Sequence, residues 1–137
     1  MSSSLFANVS ELSMPRSLVC DAGGVLVAAG ALEGAFPASV EVLTLDWTAI
    51  TIGRFLAARF EGKPGRARVE LGLALAAVDE WFPVRTLVAD TLERAGLDAV
   101  DALDSWSALI LAEQLDLPLF TASDEVSSTR IKIIHPW

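Results

Sequence analysis

Cysteine and histidine are nearly absent from this chain, which has one of each among 137 residues, Cys20 and His135. A lone cysteine cannot close an internal disulfide, and a reducing cytoplasm is the simplest setting for it. With a single histidine, no His/Cys cluster is available for zinc. No apolar run reaches the roughly 18 residues that would suggest a membrane span. Positive charge is also scarce. Ten Lys and Arg stand against eighteen Asp and Glu, a formal net charge of −8, which argues against general electrostatic attraction to nucleic acid. Internal repeats and low-complexity stretches are missing.

What is present is apolar. Hydrophobic residues make up 53% of the chain, so most of it is expected to fold, as one domain with a single shared core. The Ser-rich stretch Met1–Ser13 lacks the basic-then-apolar order of a secretory signal and reads as an extension. The domain proper then spans 14–137, with Met14 as its start. The few basic residues are unevenly placed: Arg54, Arg59, Lys63, Arg66 and Arg68 lie together. They form either a patch for an anionic partner or a solvated helix face.

Strands and helices are expected to alternate. Ser17–Asp21 reads as a short buried strand closed by Gly23-Gly24, and a helix is expected over Val25–Ala31. Val40–Leu45 is β-rich, and Asp46 is placed to cap a helix over Trp47–Phe60, stopped by Gly62 and Pro64. A further helix is expected over Ala67–Glu80. Another, opened by Pro83, reaches Ala95 before Gly96. Asp98 or Asp101 can start a helix containing Ser105–Leu115. Leu117–Thr121 and Ile131–Ile134 read as the last strands. Short, continuously apolar strands alternating with helices imply an α/β fold, a small parallel sheet covered on both faces in three layers. Ligands bind such sheets outside the carboxyl ends of the strands, where Asp21 and the Thr121–Asp124 segment fall.

Asp21, Asp46, Asp101, Asp104 and Asp124 each lie near a strand end or a helix start. Converging carboxylates of this kind suit a hard divalent cation that activates water against a phosphate. Trp47, Trp81, Trp106 and Trp137 read as packing or interface anchors, Cys20 as core, and His135 as structural or exposed.

The run SLVCDAGGVLVA resembles the first strand and turn of PIN domains. LDSWSALILAEQLDLPLFTASDE resembles that family's second block, in which an aspartate begins a helix ending in Ala-Glu and a strand leads to Thr-x-Asp. TIGRFLAARFEG resembles the helix that carries the family's glutamate and then basic residues, and IKIIHPW the closing strand of VapC-type toxins. The resemblance covers about Pro15 to Trp137. It implies a small PIN-like α/β domain acting as a Mg²⁺- or Mn²⁺-dependent endoribonuclease of the VapC toxin type. It also implies an RNA substrate, a homodimer, a small antitoxin protein, no membrane and a cytoplasmic setting.

Carried over by position, the family's acids are incomplete here. Asp21 matches the first. The glutamate falls on Thr51, the third acid on Ser105 beside Asp104, and the fourth on Ser123 beside Asp124. Asp21, Asp104 and Asp124 are therefore the expected catalytic and metal-holding set, with Arg54 and Arg59 on the RNA backbone. A one-residue displacement turns a side chain by about 100° inside a regular helix, so Asp104 is expected to point away unless the helix starts late. Two outcomes stay open: a nuclease, with activity weakened, or a catalytically inactive PIN-like module that binds RNA or a protein partner. LVCDAGGVL also resembles the nucleophile strand of haloacid-dehalogenase phosphatases, but the second aspartate expected there is Gly23.

Overall fold

A computed structural model of the chain describes residues 16–37, 39–96 and 102–137. The expected extension at 1–13, the domain start at Met14, and Asp98 and Asp101 as helix starters or acids lie outside the described residues.

Among the described residues, five parallel strands form one sheet in the order β3-β2-β1-β4-β5. They are β1 (Ser17–Cys20), β2 (Glu41–Leu45), β3 (Glu80–Phe82), β4 (Leu119–Phe120) and β5 (Ile133–Ile134). Among the described residues five α-helices accompany them: α1 (Ala22–Ala28), α2 (Thr48–Arg59), α3 (Pro64–Ala76), α4 (Val88–Ala95) and α5 (Leu103–Leu115). The three-layer α/β architecture expected from the alternating pattern is the one observed, and it is consistent with a small PIN-like domain.

The pleat of the central strands divides the core. On one face Leu18, Cys20, Val42 and Phe120 pack with Val25 and Leu26 of α1, Ile52 and Leu56 of α2 and Ala74 of α3. On the other, Val19, Leu43, Leu45 and Leu119 pack with Leu87, Val126 and the run Ala108–Ala112 of α5. Successive side chains of a strand point to opposite faces, so four-residue apolar runs serve both layers. α5 is buried continuously from Ser107 to Glu113, which makes it the central helix of its layer.

β3 is a strand the sequence pattern does not show: the helix expected over Ala67–Glu80 overlaps it only at Glu80. Instead α3 stops at Ala76, and Asp79 clamps onto β2: its carboxylate accepts from the Val42 N–H at 2.7 Å and its own N–H donates to the Val42 carbonyl at 2.8 Å. Trp81 and Phe82, both good strand formers, then extend the sheet edge. Pro64 does not stop α2. It is the first residue of α3, where its missing N–H costs nothing. Nor does Asp46 cap α2, since no side chain caps that helix. The Asp46 carboxylate accepts from the Val84 N–H at 3.2 Å.

The feature that positions the site is the junction of β1 and β4. The chain leaves β1 towards β2 on one side, while β4 lies on the other, so their carboxyl ends frame a crevice. Val19 pairs with Leu119 and Cys20 with Phe120. The register therefore brings Asp21 and Thr121 together just beyond the strands. α1 starts at once, one turn earlier than expected, and passes over β4. A Cβ on Gly24 would sit 2.4 Å from the Phe120 carbonyl oxygen, so only glycine allows that approach.

Candidate functional site

Asp21 caps α1. Its backbone is extended and its carboxylate accepts from the Gly24 N–H at 2.8 Å, satisfying a free donor of the first turn. The same carboxylate accepts from the Ser105 hydroxyl at 2.6 Å and from the Thr121 hydroxyl. Asp21 is only 2% exposed. Burial pushes its carboxyl above the usual range, against the three hydrogen bonds from Ser105, Thr121 and Gly24.

Asp104 joins it. α5 starts at Leu103, so Asp104 and Ser105 both occupy its first turn, where neighbouring residues can reach the same crevice. The Asp104 carboxylate accepts from the Ala22 N–H at 2.7 Å and from the Thr48 hydroxyl at 2.7 Å. The two acids thus bracket the start of α1. Burial first, then the charge of Asp21, push the Asp104 carboxyl up to about 6, opposed by the bonds from Ala22 and Thr48. The rotation expected to turn Asp104 away is avoided because the helix begins late enough.

The other expected residues divide. Thr51 and Ser123 line a cleft of about 260 Å³ together with Asp21, Asp104 and Ser105. Asp124 is exposed and does not line it. Its neighbour Ser123 turns inward because its N–H donates to the Thr121 hydroxyl at 2.9 Å. Arg54 lines an adjoining groove with Thr51 and Asp104. Arg59 is exposed on the last turn of α2 and lines neither, since five residues along a helix turn a side chain about 140° away. Cys20 is fully buried core, its thiol pushed up by burial and by Asp21. His135 is structural: its Nδ1–H donates to the Thr121 carbonyl at 2.9 Å, and its ring stacks on Trp137.

Two contributors have no role at the site in the sequence reading. Thr48 is fully buried and reaches Asp104. Thr121 is fully buried and reaches Asp21. The signal for Thr48 was the spacing of Thr48, Ile52 and Leu56, which marks the buried face of α2 at four-residue intervals.

No family model matches the chain, and no curated protein matches it.

The donor set tests whether a divalent cation fits. Among the described residues no three of His, Cys, Asp or Glu lie close enough to hold a metal ion. Hydroxyls of Thr48, Thr51, Ser105 and Thr121 surround two carboxylates. Asp21 is closed in by three donors from the chain itself. A carboxylate has about four acceptor positions, which leaves one on Asp21 and two on Asp104. The crevice does not fit the three- or four-acid cluster of a metal nuclease. It fits a hydrogen-bonding site in which Asp104 is the open acceptor.

Proposed function

We propose that the chain is a PIN-like module that binds single-stranded RNA without hydrolysing it, in the cytoplasm. The observation that carries this reading is the state of Asp21. The acid that would anchor a catalytic metal is buried and engaged by Ser105, Thr121 and Gly24, while the third expected ligand, Asp124, stands outside the cleft. An RNA strand would lie along α2 and the turn into α3. Arg54, Arg59, Lys63 and Arg68 are exposed there and make no ion pair among the described residues. Arg66 is held by Glu70 at 3.2 Å and lies over the Phe60 ring. Basic side chains beside aromatic ones are the usual means of holding a single strand without strict sequence preference. The homodimer belongs to the same reading. Val69 and Leu73 of α3 are 61% and 58% exposed and offer an apolar stripe for a twofold contact.

The test is RNA binding by the full chain in EDTA. Binding that survives metal removal and weakens in Arg59→Ala and Lys63→Ala is expected. Mn²⁺-dependent cleavage of RNA abolished by Asp21→Ala would refute the proposal.

A second reading, a weakened Mg²⁺- or Mn²⁺-dependent endoribonuclease of the VapC type held by an antitoxin, is favoured by one observation. Two neighbouring acids with raised pKa values are what a divalent cation would relieve. Calorimetric Mn²⁺ binding that disappears in Asp21→Ala would establish it over the first.

A further inference from the structure

A groove of about 480 Å³ adjoins the cleft, walled by Trp47, Ile50, Phe55 and Leu103, with Arg54 and Asp104 as its charged groups. This volume is within the usual range for small-molecule sites. Ile50 is 69% exposed and Phe55 36%, so apolar surface is open to a flat partner. The indole N–H of Trp47 donates to the Ser107 hydroxyl at 3.0 Å, which leaves its ring to offer apolar contact alone.

The polar groups are more selective than the walls. Each oxygen of Asp104 accepts one hydrogen bond from the chain, Oδ1 from Thr48 and Oδ2 from Ala22. One acceptor position therefore remains on each of two adjacent oxygens. A ligand that fills both positions at once carries two adjacent donors. Among the RNA bases only guanine has that on its pairing edge, N1–H beside N2–H. Adenine and cytosine set a donor beside an acceptor, and uracil has one donor between two acceptors. An arginine side chain also has paired donors, but Arg54 lines the same groove with no ion pair among the described residues. It disfavours a cation and favours a phosphate.

We propose that this groove takes an unpaired guanosine of a single-stranded RNA, its base against Trp47 and Phe55, its pairing edge on Asp104 and its phosphate on Arg54. The assignment rests on the RNA-binding reading and adds to it a base preference and the residue that sets it.

The experiment titrates the full chain at pH 7.5 with four U-rich RNA octamers that differ only in a central G, A, C or U, and separately with GMP. Anisotropy reads the oligomers and tryptophan quenching reads GMP, with Trp47→Phe identifying the reporting ring. The G octamer is expected to bind at least about tenfold tighter than the others, the low end of discrimination by a bidentate base contact. Asp104→Asn, which replaces one acceptor by a donor, is expected to erase that preference. Arg54→Ala is expected to weaken all four octamers alike. Equal binding of the four octamers, or a G preference that survives in Asp104→Asn, would overturn the assignment. Quenching by arginine amide in place of GMP would also overturn it, assigning the acceptor pair to a protein partner. GMP quenching through Trp47 with no octamer bound would refute the RNA reading while retaining a guanine site. Binding of neither GMP nor the G octamer would refute the site itself.

Discussion

Removing the charge of Asp104 should make the protein more stable at neutral pH, the reverse of what deleting a well-bonded buried group usually does. The folded protein holds this carboxyl up to about 6 against an ordinary value of 3.8, through burial and the neighbouring Asp21. A raised carboxyl pKa means that the folded state binds the proton more tightly than the unfolded chain does. Stability from this group therefore falls as pH rises from about 4 to about 6, and the deficit persists above that window. The full difference corresponds to about 3 kcal/mol. Partial exposure of Asp104 and the bonds that an amide cannot copy reduce this, so Asp104→Asn is expected to gain about 1–2 kcal/mol at pH 7.5. Urea unfolding at pH 7.5 and 4.5 measures it. The variant's advantage should be present at the higher pH and shrink towards zero at the lower. Because the comparison is between variant and parent, titrating groups not coupled to Asp104 cancel, and Asp21 is the coupled one. A variant less stable than the parent by more than about 1 kcal/mol at pH 7.5 would refute the reasoning, since the ionised carboxylate would then be a net stabiliser.

Other substitutions probe the same frame. Thr121→Val keeps the shape but removes a hydroxyl from the buried Asp21 carboxylate; a loss of roughly 1.5–3 kcal/mol is expected in urea unfolding. Gly24→Ala places a methyl 2.4 Å from the Phe120 carbonyl. Backbone must shift, at a cost of roughly 1–3 kcal/mol, seen as a lower Tm in calorimetry. Glu113 is buried on α5, where it accepts from Arg94 and from the Ser128 hydroxyl at 2.6 Å. Burial pushes its carboxyl up, but Ser128, Arg94 and Arg130 together hold it below its ordinary 4.5. Its ionisation stabilises the fold above that pH and the contribution disappears as pH falls below it. Glu113→Gln should therefore cost about 1–2 kcal/mol at pH 7, given the exposure of Arg94, with the gap closing as pH falls below 4.5.

Most of the fold was legible because buried parallel strands read as short apolar and β-branched runs, and β1, β2, β4 and β5 each contain one. β3 was not, because three residues carry no period. Its pairing depends on Asp79 reaching the backbone of Val42, a contact that no local pattern announces. Asp21 was legible from its place at a strand end before two glycines. Asp104 was legible as a residue but not in its direction, since that depends on which residue starts α5, and the segment just before the helix offers two polar candidates, Asp98 and Asp101. Asp124 lies outside the cleft for a different reason: in a loop, one backbone bond from Ser123 to Thr121 decides which of two neighbours faces inward. Thr48 went unread because a threonine on the buried face of a helix looks like packing until its partner, 56 residues away, is known.

The two acids at the crevice do different things, and their surroundings say which. A helix cap does not require charge, since Asn serves about as well as Asp at that position. Asp21 has almost no exposed surface, and its donors come from three separate elements: the start of α1, the first turn of α5 and the end of β4. It ties those elements together, and its ionisation is supported by the hydroxyls that surround it. Asp104 borders both the cleft and the groove and keeps an acceptor position on each oxygen. A carboxylate held against its own burial, half-satisfied and facing an apolar groove, lowers stability unless something outside the chain completes its hydrogen bonds. The stability gain expected in Asp104→Asn and the base preference expected to vanish in the same variant are two measurements of that one unfilled acceptor pair. An outcome in which stability rises while binding is unaffected would separate them.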